Sequence, residues 1–580
     1  MSVPFSQYFQ TKETSQSQAI PGTDQVENSS GGFVWAVNDW TRLDRFLILG
    51  TEGGSYYASE QELTIKNAEA VVRCIKADGE RVVKRIVEIS EAGRAPKNDP
   101  AIFALVMAAG MGDAKTKAAA FNALSKVARF STPFFMFLEH IQGFKGWGRG
   151  LSRAVCKWFN EKDVKQLAYQ FVKYRQRNGW SHRDLLRLAH PKPATPAHNA
   201  LFRWVVASES MGEREVSRRE RKDGPMVVKK YEAIDRSLLP PIISAFEAVQ
   251  QAKDAEEVVR LIGANPNLSW EMIPTEFLGE KKIWRALLLD LLPTALIRNL
   301  GRMTANGLLS PLSDAVRIAV ERLSDGESIR EARVHPVAVL AALTTYSEGH
   351  GARGDLSWDP VGQIADALDN TFHLAFGNIT PTGKRFMLCL DLSRSMAGSE
   401  IAGIPGLTPR RGAAAMSLIT AATEPNHIIT GFTAVGSDTV RFPGRSRENL
   451  ELAVSVLPIS PKQRLDDVVR LIESYGQGRV NGKYGFGGTD CSLPMRYALD
   501  REIPVDTFVV YTDSETWAGD IHPAQALREY RRKTGIPAKL VVVGMVANGF
   551  SIADPDDSGM FDVVGFDTAT PELISDFAMR

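Results

Sequence analysis

The hydrophobic pattern of this chain changes once, near residue 380, and that change limits the folds open to it. Between about residues 32 and 370, apolar residues recur at intervals of three and four, which is typical of amphipathic helices separated by Gly, Pro or Asn breaks. After residue 380, short apolar runs alternate with helical segments, the pattern of an α/β fold. We therefore expect a multidomain protein with an all-α part followed by an α/β part.

The helical part, residues 31–375, is predicted to be a HEAT-like array of antiparallel helix pairs with divergent repeats. Residues 1–30 are rich in Ser, Gln and Thr and predict a flexible N-terminal tail. Two further stretches are predicted to be inserts or loops, because residues 208–230 are highly charged and residues 474–488 are rich in glycine.

The second part, residues 380–580, is predicted to be a doubly wound α/β domain. Four apolar runs predict buried parallel strands: RFMLCLDLS (385–393), HIITGFTA (427–434), DTFVVYTDSE (506–515) and AKLVVVGM (538–545). Helical segments lie between them at residues 410–423, 464–474 and 523–534. Ligand sites of such domains lie at the carboxyl ends of the strands.

Oxygen-bearing side chains are placed at that edge. Asp391, Ser393 and Ser395 follow the first strand, Thr489 precedes a later helix and Asp513 ends the third strand. A donor set of hydroxyls with few carboxylates suits Mg²⁺ or another divalent cation. The sequence therefore predicts a metal site. It assigns no catalytic residue, because no His accompanies the serines and no GxSxG motif is present.

Positive charge is concentrated in the helical part. The formal net charge is only +1, yet residues 101–200 carry 16 Lys and Arg against 5 Asp and Glu. A local excess of this kind indicates a polyanion partner. A solvated helical face remains the alternative interpretation.

The densest basic stretch is KYRQRNGWSHRDLLRLAHPKP, residues 173–193. Its spacing predicts Lys173 and Arg177 on one face of a helix, a break at Asn178-Gly179, and a second helix that begins at the Ser181 capping box. The helix ends predict an anion-binding surface, with a helix-capping role as the alternative for His190. The RNA-binding candidates are Lys173, Arg177, Arg187, His190 and Lys192, joined by Arg149 and Arg153 from the helix over 146–162.

Six segments give the chain a resemblance to the Ro autoantigen family, from about residue 31 to the C-terminus. They are residues 31–57, 173–193, 298–306 and 335–354, GGTDCSLPM (487–495) and NGFSIADPDDSGMFDVVGFD (548–567). The resemblance implies a TROVE module, a HEAT-like helical ring with a basic central hole, followed by a von Willebrand factor A-like domain. It places the family's DxSxS…T…D metal-ion-dependent adhesion site on Asp391, Ser393, Ser395, Thr489 and Asp513, and its Y RNA contacts on Lys173, Arg177 and His190.

The function implied is that of an RNA-binding scaffold in RNA quality control. Such a monomeric ring binds small structured Y-like RNA on its outer face and the single-stranded 3′ ends of misfolded RNA in its hole, and an exoribonuclease partner is possible. We expect a cytoplasmic protein, because the four cysteines form no CxxC pair and neither a signal peptide nor a membrane-spanning run is found. The alternatives are a protein-binding adaptor that acts through the metal-dependent A domain and, less favoured, a hydrolase.

Overall fold

A computed structural model describes the chain except for residues 1–12, 52–54, 56–57, 209–233, 352–354, 377–379, 402–406, 434–453, 478, 481–482 and 485–487. Apart from Ser208, the charged insert predicted over 208–230 lies outside the described residues. The glycine-rich stretch over 474–488 is described only in part. Residues 474–477 end the helix Leu465–Gln477, so the loop prediction is wrong for them, and Arg479–Val480 pairs with Lys483–Tyr484. In the described part of the chain, no helix is long and apolar enough to cross a bilayer.

The first part of the chain is helical, as predicted. Many of the helices begin after a polar side chain that accepts from a free N–H group of the first turn, as Asp113 does from the Thr116 N–H at 2.8 Å. Others begin with a proline, which lacks that N–H group. In the described residues, helices α1 to α17 span, in order, Asp39–Leu49, Glu60–Ala92, Asp99–Met111, Ala114–Val127, Ser131–Lys145, Arg149–Asn160, Val164–Lys173, His182–Ala189, Pro196–Ser208, Pro241–Gln250, Ala255–Ala264, Lys281–Leu288, Pro293–Ala305, Asp314–Leu323, Gly326–Glu331, Pro336–Glu348 and Gly362–Leu374.

The array of helices closes into a ring. His335, which caps the N-terminus of α16, places its Nε2 3.0 Å from the Arg94 carbonyl oxygen between α2 and α3. A contact between residues 241 positions apart in sequence joins the start of the array to its end.

The α/β domain holds both ends of this ring. Near the start of the array, Nη2 of Arg45 in α1 donates to both carboxylate oxygens of Asp562, at 2.7 and 2.8 Å, and Arg94 binds Asp567. Near its end, Asp369 of α17 accepts a hydrogen bond from the Leu465 N–H at 2.7 Å. The two parts of the chain therefore contact each other near both ends of the helical array.

Within the described residues, the strands are, in chain order, β1 (Val26–Glu27), β2 (Phe33–Ala36), β3 (Gln176–Arg177), β4 (Trp180–Ser181), β5 (Phe386–Asp391), β6 (His427–Phe432), β7 (Val454–Val456), β8 (Arg479–Val480), β9 (Lys483–Tyr484), β10 (Thr507–Thr512), β11 (Lys539–Gly544), β12 (Phe550–Ser551) and β13 (Met560–Val564). Six of these described strands form the sheet of the α/β domain, in the order β13-β11-β10-β5-β6-β7, in which β5, β6, β10, β11 and β13 are parallel and the edge strand β7 is antiparallel. Helices α18 to α22 span Pro409–Thr423, Leu465–Gln477, Leu493–Asp500, Pro523–Thr534 and Thr570–Met579.

Both faces of this sheet are buried, as expected of a doubly wound domain. Along β5, Phe386, Leu388 and Leu390 join the large core that continues into the helical ring. Met387 and Cys389 point into a second core on the other face. The four predicted parallel strands are confirmed as β5, β6, β10 and β11, whereas β7 and β13 were not predicted.

The prediction of a flexible tail over residues 1–30 is wrong for residues 13–30. This segment lies on the α/β domain, where Ile20 is 1% exposed and the Gln16 side chain is fully buried. Strand β2 pairs with β1 on one side and with β12 of the α/β domain on the other. Hydrogen bonds, rather than buried apolar side chains, hold most of this segment in place. It therefore contains few apolar residues.

Candidate metal site and basic surface

The carboxyl edge of the sheet carries a cup of buried oxygen atoms. Asp391 ends β5 and is fully buried; its Oδ1 accepts from the Ser393 N–H at 2.9 Å and its Oδ2 from the Thr512 hydroxyl at 2.6 Å. The Ser393 and Ser395 hydroxyls lie 3.0 Å apart. Because Ser393 precedes and Ser395 lies within a short 3-10 turn over Arg394–Ala397, both serines stay at the strand end.

Two further loops reach the same edge. Asp513 directly follows β10, the strand hydrogen-bonded to β5, and hydrogen-bonds with Ser395. Thr489 is 2% exposed, and its carbonyl oxygen accepts from the N–H groups of Trp517 and Ala518 at 3.0 Å each. The structure thus brings the three predicted loops together.

The electrostatics of the cup favour a bound cation. Burial raises the pKa of Asp391, and burial together with the neighbouring Asp391 raises the pKa of Asp513. Among the described residues, neither carboxylate forms a salt bridge. The Nη2 of the nearby Arg410 donates to the carbonyl oxygens of Leu392 and Ser393.

The donor set suits a hard cation. No described group of three or more His, Cys, Asp and Glu side chains could hold a metal alone, so any ion here depends on the hydroxyl groups. Two carboxylates with Ser and Thr hydroxyls leave positions for water, as Mg²⁺ prefers. These residues fit the predicted ion.

Some supporting residues of the cup were not predicted. Thr512 links two loops, since its hydroxyl donates to Asp391 and lies 3.7 Å from the Cys491 sulfur. Asp490 holds the Thr489 loop by accepting from the Ser492 N–H at 2.9 Å and the Ser492 hydroxyl at 2.6 Å. The D-x-S spacing of residues 490–492, which repeats that of residues 391–393, was a usable signal for this turn.

The basic stretch is folded differently from the prediction. Helix α7 ends at Lys173, and Arg177 lies in a hairpin in which β3 pairs with β4. The hairpin turns through Asn178 (φ 54°) and Gly179 (φ 73°), the left-handed conformations of an Asn-Gly turn. The prediction that Lys173 and Arg177 share one helical face is therefore wrong, because Asn-Gly makes a hairpin here.

The capping predictions in this stretch are confirmed. Ser181 and Asp184 form the capping box of α8, and His190 ends that helix in a left-handed conformation. Helix α6 packs against this end, with the Cys156 sulfur 3.4 Å from the Ala189 carbonyl oxygen. Asn160, which ends α6, donates to the Lys192 carbonyl oxygen at 2.8 Å.

These contacts place His190 and Lys192 against helix α6, which carries Arg149 and Arg153, while Arg177 lies on the hairpin before α8. We use the name basic surface for Arg149, Arg153, Arg177, Arg187, His190 and Lys192, all of which are exposed. None of them has a carboxylate of the described residues within salt-bridge distance. Their charge therefore remains available to a polyanion.

Lys173 has a different environment. Its side chain is 10% exposed, and its Nζ lies 3.5 Å from Glu271 Oε1 and 3.2 Å from the Tyr169 hydroxyl. It lines a cavity of about 620 Å³, together with Arg129, Lys162, Lys165, Tyr169 and Trp270. Glu271 and Asp290 also line this cavity, which we call the basic cavity because four cationic side chains stand against two acidic ones.

His182, which lies in the same basic stretch, is a core residue. It is 2% exposed, packs against Phe135 and Phe171, and bonds through Nε2 to the Ser131 hydroxyl at 3.0 Å. Burial lowers the pKa of His182 to about 3, so its ring is neutral at physiological pH.

Comparison with known proteins identifies both parts of the chain. Residues 26–345 match the model of the TROVE domain, and residues 385–578 match the model of the Ro60 vWA domain. The matched residues include the helices that carry the basic surface and all three loops of the metal cup.

Relatives align over nearly the whole chain. The RNA-binding protein RO60 of Deinococcus radiodurans is 38% identical over 96% of this chain and 95% of its own length, and that of Caenorhabditis elegans is 34% identical over 95% and 90%. The crystal structure of the Deinococcus radiodurans Ro (RSR) protein superposes with a TM-score of 0.64, covering 93% of this chain and 99% of that one, at 36% identity. The chain therefore belongs to the Ro60 family, in which a TROVE domain is followed by a vWA domain.

Proposed function

We propose that this protein is the RNA-binding scaffold of a Ro-type ribonucleoprotein and acts in RNA quality control or processing. Both relatives named above are RNA-binding proteins by name, and they align with this chain over 95% or more of its length. The observation on this chain that carries the proposal is the basic surface, an exposed group of Arg, Lys and His side chains without carboxylate partners among the described residues.

The basic surface binds small structured, Y-like RNA. Its charges lie on helix ends and on a rigid hairpin, so they are held at fixed positions for phosphate groups. Structured RNA is recognised mainly by shape, by phosphate contacts and by unstacked bases. Trp180 does not serve as an exposed stacking platform, because its ring is half-buried and packs 6.1 Å from that of Trp147.

The single-stranded end of a misfolded RNA enters the central hole of the ring, and the basic cavity next to Lys173 offers such an end a binding point. The cavity combines four cationic side chains, those of Arg129, Lys162, Lys165 and Lys173, with the rings of Tyr169 and Trp270. Cations that follow a backbone and aromatic rings that stack on bases are the usual means of binding single strands.

In the A domain, Mg²⁺ or another divalent cation binds Asp391, Ser393, Ser395, Thr489 and Asp513. The ion supplies an open coordination position for a carboxylate from a protein partner, and a 3′ exoribonuclease is one candidate. We propose no catalytic step, because no described histidine is hydrogen-bonded to the serines and their hydroxyls bond to each other within the cup. We place this scaffold in the cytoplasm as a monomeric ring.

The proposal is tested by sequencing the RNA that copurifies with the tagged wild-type protein, with Arg177→Ala/His190→Ala, and with the control Arg532→Ala. Arg532 is also an exposed arginine, but it lies on α21 in the A domain. We expect a few structured noncoding RNAs on the wild type and the control, and their depletion on the double variant. Equal and diffuse RNA on all three would favour the alternative, a protein-binding adaptor that acts through its A domain.

A further inference from the structure

Residues 13–37, which we call the N-terminal strap, lie against the loops that carry the proposed metal ligands. Gln16 is the deepest polar residue of the strap and is fully buried. Its Nε2 donates to Asp490 Oδ1 at 2.7 Å and to the Ile521 carbonyl oxygen at 2.8 Å, while its Oε1 accepts from the Thr516 hydroxyl. One side chain thus bonds to the loop of Thr489 and to the loop of Asp513.

The strap contacts the second loop at further points. Asn28 Nδ2 donates to the Thr516 carbonyl oxygen at 2.8 Å and to the Ser514 carbonyl oxygen at 3.3 Å. The Ser30 hydroxyl contacts Glu515 Oε2 at 3.2 Å. Asp513 directly precedes residues 514–516. The contacts of these residues with the strap therefore also restrain the backbone of Asp513.

Two glycines allow the close approach. A Cβ on Gly32 of the strap would lie 1.9 Å from the Thr516 carbonyl oxygen, and one on Gly519 would lie 2.2 Å from Gln16 Nε2. Any larger residue at either position would separate the strap from the loop. The contact is therefore a closely fitted one between segments about 500 residues apart in sequence.

We infer that Gln16 is a positioning residue for the metal cup, and that strap docking and cation binding stabilise each other. This inference rests on the proposed Mg²⁺ site. Gln16 touches no proposed ligand; it holds Asp490 beside Thr489 and Thr516 near Asp513, and so sets the spacing of the two loops. Residues that orient the ligands of a metal change its affinity by about 10- to 100-fold when replaced. Because coupling between two binding events is reciprocal, Mg²⁺ must also tighten the strap.

The test compares Mg²⁺ affinity by calorimetry for the full-length wild type, Gln16→Ala and the control Ser17→Ala, which alters an exposed neighbour. We expect Gln16→Ala to weaken Mg²⁺ binding about 10-fold, and Ser17→Ala to leave it unchanged. Equal affinity of Gln16→Ala and the wild type would overturn the inference while leaving the metal site standing. A wild type that binds no Mg²⁺ would overturn the metal proposal itself.

A second measurement needs no change in the strap. Hydrogen exchange of residues 13–37 is followed in wild type and in Asp391→Ala, with and without Mg²⁺. We expect Mg²⁺ to slow exchange in this segment of the wild type and to leave Asp391→Ala unaffected. If the wild type binds Mg²⁺ but hydrogen exchange of residues 13–37 does not change, the strap is merely structural.

Discussion

The metal cup and the basic surface differ in what fixes their side chains. In the cup, Asp391, Thr489 and Asp513 are nearly fully buried and every loop bonds to another. On the basic surface, Arg177 and Arg187 are exposed and no carboxylate of the described residues orients them. In a buried site, neighbouring side chains fix the position of each functional side chain. In an exposed site, that position is set mainly by the backbone that carries the side chain. We therefore expect mutations to act locally on the basic surface and through shared contacts in the cup.

The largest effect is expected at the cup. Asp391→Ala removes the central carboxylate, so Mg²⁺ binding should fall by at least about 100-fold, as measured by calorimetry, while affinity for a structured RNA stays within about two-fold. Asp500→Ala, which alters an exposed carboxylate of the same domain, is the control. A parallel loss of RNA affinity in Asp391→Ala would contradict the separation of the two sites.

The next effect concerns the contact that closes the ring on the A domain. Arg45 is 0% exposed and paired with Asp562, so Arg45→Ala leaves a largely buried carboxylate and two carbonyl oxygens without their donor. We expect a loss of about 3 kcal/mol in unfolding free energy by chemical denaturation. Arg73→Ala breaks a similar pair with Asp39 that is about half exposed, and should cost less than about 1 kcal/mol. Equal losses would show that burial of the pair is unimportant.

A third comparison separates two residues that looked alike in the sequence. Arg177→Ala should weaken structured-RNA binding and lower the salt slope by about one phosphate contact, with unfolding free energy changed by less than about 0.5 kcal/mol. Lys173→Ala removes the partner of Glu271, so it should lower stability by about 1 kcal/mol and reduce RNA affinity less than Arg177→Ala does. Filter binding measures the RNA affinity, and chemical denaturation measures the unfolding free energy. A larger loss of RNA affinity in Lys173→Ala than in Arg177→Ala would contradict the assigned surroundings of Lys173.

The smallest effect tests the hairpin that carries Arg177. Gly179 has φ 73° with open space around it, so Gly179→Ala strains only the backbone and should cost about 1 kcal/mol. Gly263 lies within helix α11, also in open space but with ordinary helical torsion angles, so Gly263→Ala should stabilise by about 0.5 kcal/mol. Thermal melting of both variants tests this comparison. The same Gly→Ala change should lower the melting temperature at position 179 and raise it at position 263.

The α/β fold and the cup were largely predictable, since each candidate ligand directly follows a strand or precedes a helix and parallel strands bring their carboxyl ends to one edge. The short antiparallel β7 and the late strand β13 have weaker apolar patterns and were missed. Arg177 was misplaced on the helix of Lys173, because Asn-Gly permits a hairpin as well as a helix break. Gln16 had no detectable signal, since a polar residue in a polar segment shows its partners only when the fold brings positions 490 and 516 to it.

The most direct test of the account is the RNA affinity of wild type, Arg177→Ala and Asp391→Ala, measured for one copurified RNA over a series of KCl concentrations in the presence of Mg²⁺. We predict a steep loss of wild-type affinity with salt, a shallower slope for Arg177→Ala, and a line for Asp391→Ala that overlays the wild type. Identical lines for wild type and Arg177→Ala, with a displaced line for Asp391→Ala, would contradict the account, because RNA binding would then depend on the metal cup rather than on the basic surface.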